Sequence, residues 1–146
     1  GELIDHIDGN TICEADHLFA TRLWQNNSRV HFDINAREDK KRLIYGGHII
    51  SLVRALSFNG LENAQMIVGI NGGTHANPAF AEDTIYCWSE VLDKIDLNKR
   101  NIAALRLRSV GTKEKNHNMK VKNDDGRYLP NVVLDFDYWV LVPKEL

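Results

Sequence analysis

Cysteine and proline are scarce in this sequence of 146 residues. The two cysteines, Cys13 and Cys87, are too few for a disulfide framework and lack metal-type spacing, so we expect a reducing, cytoplasmic compartment. The three prolines form no linker, and no repeat or low-complexity segment divides the chain. Because the length is typical of one hydrophobic core, we expect a single domain over residues 1–146.

An excess of charge of one sign is also missing. Lys and Arg number 18 and Asp and Glu number 20, which gives a net charge of −2 and no overall attraction to nucleic acid or anionic membranes. The longest apolar stretch, 49–56, is interrupted by Ser51 and Arg54, and a membrane-spanning helix needs roughly 20 residues. The first residues are acidic, unlike a secretory signal. We therefore expect neither a membrane nor a nucleic-acid partner.

Motifs for metals and for nucleophilic catalysis are absent from the sequence as well. The six histidines include no close pair on one face, and no His-Glu-x-x-His or Cys-x-x-Cys motif occurs. There is no Gly-x-Ser-x-Gly elbow, and Cys87 lies in a predicted strand, where we expect it to be core. We expect no bound metal.

Hydrophobic patterning predicts an α+β fold. Residues 14–24 favour a helix with an acidic first turn, and residues 47–61 are apolar on nearly every side, which is typical of a buried helix. A short strand is expected at 9–13. Four strands with period-two alternation then predict an antiparallel meander, at 65–71, 84–97, 103–108 and 132–140. Such a sheet buries its apolar face most simply by curling round the helix.

Two polar segments are candidates for chemistry. The segment 26–33 contains His31, which is either an acid or base near neutral pH or a surface histidine in a connector. The sequence Tyr-Gly-Gly-His at 45–48 begins the buried helix. Its glycines give a ligand access to free backbone N–H groups that favour a negative oxygen, or they serve only close packing.

Two further segments are interpreted as mainly structural. Residues 71–80, which include His75, predict a bulged crossover, because Gly72 and Gly73 lack the spacing of a phosphate-binding loop. Residues 123–126 predict a tight turn. The basic side chains around that hairpin are typical of a solvated tip, and they are Lys113, Lys115, His117, Lys120, Lys122 and Arg127.

Residues 26–33, 45–61 and 77–85 together resemble the MaoC-like family of hot-dog enoyl-CoA hydratases and dehydratases. Members carry an acidic residue five positions before a histidine, a glycine at the start of the central helix, and a later Pro-aromatic-x-x-Asp-Thr segment. The corresponding positions here are Asn26 and His31, Gly47, and residues 78–84. Within the family, residues 45–61 and 88–92 are most similar to mesaconyl-CoA (2-methylfumaryl-CoA) hydratases.

The resemblance implies a hot-dog fold, in which an antiparallel sheet wraps round one long central helix. It implies that water is added to, or removed from, the double bond of a 2-enoyl-CoA, with Asn26 and His31 handling the water and proton and the Gly47 N–H holding the thioester oxygen. Sites of this kind form where two hot dogs meet, so a homodimer or higher oligomer is implied, with no metal or redox cofactor. Contacts to the acyl-CoA are expected from Tyr45, His48 and His75.

The acidic position departs from the family pattern, because Asn26 cannot act as a general base. Either His31 works with another carboxylate, such as Asp33 or Glu38, or Asn26 only orients the water, or the chain is a non-catalytic acyl-CoA-binding half of a double hot dog. Arg29 is a candidate partner for a carboxylate on the substrate. A hot-dog acyl-CoA thioesterase is the nearest alternative enzyme, since one fold and oxyanion site serve both.

Overall fold

A single antiparallel sheet, with strand order β1-β3-β4-β5-β2, is the main element of the fold. The computed structural model describes residues 1–62, 64, 66–99, 101–115 and 118–144. The strands are β1 (Leu3–Thr11), β2 (Met66–Thr74), β3 (Thr84–Lys99), β4 (Ile102–Thr112) and β5 (Val132–Pro143). The helices are α1 (Glu14–Leu23), α2 (Gly46–Leu56) and α3 (Phe58–Leu61). Two short 3-10 helices, Arg29–His31 and Ile34–Ala36, lie between α1 and α2. This arrangement, one antiparallel sheet packed against one main helix, confirms the predicted α+β class.

Helix α2 packs against the sheet through one face. Ile49 and Val53 are fully buried in the core, whereas Ser51 and Ala55 are exposed. The sequence analysis predicted a helix that is buried on nearly every side. That prediction was wrong, because the sheet covers only one face of α2. The predicted helix over 47–61 also ends early. Ser57 is the C-cap of α2, and Asn59, with a ψ of 104°, and Gly60, with a φ of +99° that suits glycine, prevent a regular helix from continuing to residue 61.

The order of the strands differs from the predicted meander. Only β3, β4 and β5 are consecutive neighbours, while β2 pairs with β5 at one edge and β1 pairs with β3 at the other. Alternating hydrophobicity identifies a strand but does not identify its neighbour, and this is why the sequence analysis placed β2 wrongly. Strand β2 does contain register shifts, as the predicted bulged crossover requires.

The connection from β2 to β3 crosses one end of the sheet over residues 75–83. The Ala76 N–H donates to the Val133 carbonyl near one edge, and the Glu82 N–H donates to the Ile12 carbonyl near the other. Between them, the Ala79 carbonyl accepts a hydrogen bond from the Ile44 N–H, just before α2. This crossing loop therefore passes the start of α2.

Strand β1 is longer than the strand predicted at 9–13. It begins at Leu3, and its pairing with β3 shifts register between Asp5 and Gly9. His6 faces the interior with no exposed surface, hydrogen-bonded to Ser89 Oγ at 2.8 Å. A histidine at an inward-facing position hid the alternation that would have predicted this strand.

Three local predictions are confirmed. Helix α1 occupies the expected segment, and the turn at 123–126 is closed by a 3.0 Å hydrogen bond from the Gly126 N–H to the Asn123 carbonyl. Cys87 is buried in the core, and this burial raises the pKa of its thiol. A buried neutral thiol is a poor nucleophile.

Candidate active site

The start of α2 presents free backbone donors. The Tyr45 carbonyl accepts from the His48 N–H at 2.9 Å and from the Ile49 N–H at 3.3 Å. Gly46 and Gly47 precede these donors, so their N–H groups have no carbonyl partner within the helix. Both groups carry the partial positive charge of a helix N-terminus and are suited to bind an oxygen that becomes negative.

A cavity of about 390 Å³ adjoins this helix start. His31, Gly46 and His75 line it together, and apolar side chains such as Leu43 and Ile49 form much of the remaining wall. Among the described residues, no aspartate or glutamate lines this cavity. The cavity therefore places two imidazole rings beside the helix start without a carboxylate.

His31 stands at the end of its 3-10 turn with a defined hydrogen-bonding pattern. Its Nδ1 lies 2.8 Å from the Leu43 carbonyl oxygen. A carbonyl only accepts, so Nδ1 donates, and Nε2 of the neutral ring keeps its lone pair. The Tyr45 ring packs against the imidazole at a centroid distance of 5.9 Å. His31 can therefore take up a proton at Nε2 while the Leu43 contact is retained.

His17 holds the backbone of Tyr45 in place, and the sequence analysis did not identify this residue. Its side chain has no exposed surface, and its Nε2 accepts a 2.9 Å hydrogen bond from the Tyr45 N–H. Burial, and to a smaller degree the nearby His48 and His31, lowers the pKa of His17 to about 4. A neutral His17 thus holds Tyr45, the residue that caps α2. The only sequence signal was its place on the face of α1 that also carries Ala20.

The predicted contact residues Tyr45 and His48, and the predicted oxyanion donor Gly47, lie beside the cavity but do not line it. The His48 ring lies 6.1 Å from the His17 ring, and burial lowers the pKa of His48. These residues remain predictions as substrate contacts.

The glycines at the helix start also permit close packing. A Cβ on Gly47 would lie 2.5 Å from the Tyr45 ring, and a Cβ on Gly46 would lie 2.5 Å from His75 Nε2. The free N–H groups and the close packing occur together, so the two interpretations of these glycines are compatible.

Asn26 and Arg29 lie outside the cavity lining. Asn26 is half-buried, and its Oδ1 accepts a 2.9 Å hydrogen bond from the Ser28 N–H. The Arg29 side chain is 70% exposed and forms a 2.7 Å ion pair with Asp33. The structure thus groups His31, Gly46 and His75 but does not add Asn26 or Arg29 to them, and the roles of both stay predictions.

Basic side chains around the hairpin at 123–126 contact neighbouring residues. Lys113 pairs with Asp83 at 2.8 Å, and the Lys122 ammonium lies 4.6 Å from the centre of the Tyr128 ring. His117 lies outside the described residues. These contacts agree with the interpretation of a solvated tip.

The described part of the chain contains neither a metal-ligand cluster nor a membrane-spanning helix. There, no three side chains among His, Cys, Asp and Glu are grouped to hold a metal ion. None of the helices in the same part has the length and hydrophobicity needed to span a bilayer.

Comparison with known proteins places this geometry in context. No protein-family model matches the sequence. The chain is 58% identical over 144 residues to the mesaconyl-CoA hydratase of Cereibacter sphaeroides, covering 99% of this chain and 42% of the relative. It is 54% identical over 149 residues to the β-methylmalyl-CoA dehydratase of Chloroflexus aurantiacus, again covering 99% and 42%.

A solved structure from Chloroflexus aurantiacus J-10-fl, described as a MaoC-domain dehydratase, superimposes with a TM-score of 0.94 at 54% identity. The match covers 100% of this chain and 43% of the solved one. This chain therefore has a hot-dog fold and is similar to a MaoC-domain dehydratase. The resemblance predicted from the sequence is thereby confirmed. The chain spans less than half the length of the curated relatives that it matches.

Proposed function

We propose that this chain adds water to, or removes water from, the double bond of a 2-enoyl-CoA thioester. The observation that carries the proposal is the shared cavity, in which His31, with Nε2 as a free base, and the helix start at Gly46 lie together. The names of the two curated relatives, a hydratase and a dehydratase of CoA thioesters, support the same reaction class. They also make mesaconyl-CoA the first substrate to test.

In the hydration direction, the thioester oxygen accepts hydrogen bonds from the free N–H groups of Gly46 and Gly47. His31 Nε2 takes a proton from water as the water oxygen bonds to C3, and the electrons of the double bond move towards the thioester oxygen. The helix start stabilises the enolate. C2 then takes the proton back from His31, and the carbonyl re-forms. The hydroxyl group of the water thus ends on C3 and its proton on C2, with no net change of oxidation state. Dehydration follows the reverse path.

This mechanism uses only backbone donors and an imidazole, so we propose that no metal or redox cofactor takes part. Both cysteines are free thiols. Free thiols favour the reducing, cytoplasmic location expected above, which remains part of the proposal.

We also propose that a second hot-dog domain packs against this one. Strand β2 is an edge strand whose Met66, Val68 and Ile70 side chains are 61%, 52% and 64% exposed. A long apolar edge strand of this kind is normally covered in a working protein. We expect Ile70→Lys to lower the molecular mass measured by light scattering. An unchanged mass would argue against β2 as the contact.

The function is tested by mixing the purified protein with mesaconyl-CoA and with crotonyl-CoA. Loss of the enoyl absorbance is followed together with the release of free thiol. Loss without thiol release, reduced about 100-fold or more by His31→Ala, is the result expected of a hydratase. Thiol release would instead identify a thioesterase, and binding without conversion would identify a non-catalytic acyl-CoA-binding domain.

A further inference from the structure

No residue has yet been assigned to orient the water that reacts in the cavity. The family pattern has an acidic residue at the position of Asn26, whose Oδ1 here is bonded to the Ser28 N–H. The two carboxylates considered as substitutes, Asp33 and Glu38, do not line the cavity. Asp33 is paired with Arg29 and also accepts from the Asn35 N–H. A different group must therefore orient the reacting water if the chain supplies that group itself.

Besides His31, the polar side chains that line this cavity are His75 and Asn77, and the Asn77 amide is bonded to the Leu129 and Val132 carbonyls. The Nε2 of His75 approaches the helix start so closely that a Cβ on Gly46 would lie 2.5 Å away. His75 makes no hydrogen bond to any other described residue. Neither ring nitrogen is therefore committed to another described residue, and the side chain lines the same cavity as His31.

The backbone on either side of His75 is held in place. The Ala76 N–H donates to the Val133 carbonyl at 3.1 Å. The Asn77 amide donates to the Leu129 carbonyl at 2.9 Å and to the Val132 carbonyl at 2.8 Å. These bonds tie the crossing loop to the start of β5, so the backbone that carries the imidazole is positioned before a ligand binds. Preorganisation of this kind is what a water-orienting group requires.

An uncharged His75 ring can act as a hydrogen-bond acceptor. Although the side chain is exposed at one side, the desolvation of its ring lowers the pKa of His75. At neutral pH the ring is then uncharged and keeps one nitrogen lone pair.

We propose that His75 is a second catalytic residue, which accepts a hydrogen bond from the reacting water while His31 takes the proton. This inference rests on the proposed hydration of a 2-enoyl-CoA. One hydrogen of the water moves to His31 Nε2 and then to C2. The other stays on the oxygen that bonds to C3 and points at His75 during the attack. No further acid, base or oxidant is needed for the balance.

The test compares His75→Ala and His75→Gln with Thr74→Ala, a control on the exposed neighbouring residue. We expect His75→Ala to lower kcat about 100-fold while KM changes little, because orientation of water acts mainly in the transition state. His75→Gln should retain more activity, since its amide oxygen can still accept a hydrogen bond. Added imidazole should partly restore His75→Ala, and Thr74→Ala should remain near the wild-type rate.

Several outcomes would contradict the role of His75 without contradicting the proposed hydratase function. In an active wild-type protein, a wild-type kcat for His75→Ala, or a raised KM with unchanged kcat, would reduce His75 to a substrate contact or less. Equal loss in the Ala and Gln variants, with no rescue by imidazole, would indicate a structural role, which thermal unfolding of the variants would reveal. If the wild-type protein converts no enoyl-CoA, the proposed function itself fails, and the inference fails with it.

Discussion

Arg54 on the central helix donates a 3.0 Å hydrogen bond from Nη1 to the hydroxyl oxygen of Tyr138 on β5. The Tyr138 hydroxyl has one hydrogen, which remains for Ser109 Oγ at 2.9 Å. Tyr138 has no exposed surface, and its ring lies beneath the guanidinium at 5.2 Å. The contact joins a half-buried arginine of the helix to a fully buried tyrosine of the sheet.

The chain of hydrogen bonds continues from Ser109 through Ser89, at 2.7 Å, to His6 Nε2, at 2.8 Å. Its direction is determined at both ends. Arg54 can only donate, and His6 Nδ1 must donate to the Asn59 carbonyl, so His6 Nε2 accepts. A buried chain with every member satisfied helps to specify a single packing of helix against sheet.

Tyr138→Phe should lower the free energy of unfolding by about 1–3 kcal/mol, because it leaves a donor on Arg54 and the buried acceptor oxygen of Ser109 with one partner fewer. Urea unfolding of the purified variant measures the effect. Tyr128→Phe is the matched control, since it removes a hydroxyl that donates to Asp135 in a half-buried position. Equal losses in the two variants would contradict the special role of the buried chain.

Stability should fall as the pH decreases from about 6.5 towards 4. The pKa of His17 is about 4 in the folded chain, whereas an unfolded histidine titrates near 6.5. Between these values the unfolded state binds more protons, so His17 reduces stability by up to about 3 kcal/mol on acidification, and the loss levels off below pH 4. Burial lowers the pKa of His6 as well, which acts in the same direction.

His17→Gln isolates the contribution of that histidine, because its amide oxygen can accept from the Tyr45 N–H without titrating. Urea unfolding over this pH range should show a shallower decline for the variant than for the wild type. Parallel curves would place the pH dependence on other groups.

Gly46→Ala should impair the site without unfolding the chain. The new Cβ would meet His75 Nε2 at 2.5 Å, and the imidazole, as the far end of a side chain, can move away. We expect a decrease in kcat that parallels His75→Ala, with far-UV circular dichroism unchanged. Full activity in Gly46→Ala would show that the position of His75 is not critical.

Arg29→Ala tests the predicted partner of a substrate carboxylate. The side chain is 70% exposed and paired with Asp33, and exposed pairs contribute little to stability. We therefore expect no measurable change in the unfolding midpoint. From its position outside the cavity we also expect mesaconyl-CoA and crotonyl-CoA to be affected equally. A selective loss with mesaconyl-CoA would instead establish Arg29 as a carboxylate ligand.

The sequence by itself determined the local elements and the type of fold. Helix α1, the turn at 123–126 and the buried Cys87 follow from patterns within a few residues, where periodicity records which side chains face the core. The family pattern around His31 and Gly47 also pointed to the correct hot-dog architecture.

The neighbours of each strand and the makeup of the cavity were decided only by the tertiary structure. The place of β2 beside β5, the support of Tyr45 by His17 and the meeting of His75 with Gly46 each join residues distant in sequence. Such contacts leave no local period, because each partner alone fits a polar loop or helix as well as a site. Only the crossing loop, which carries His75 past the start of α2, brings the two imidazoles into one cavity.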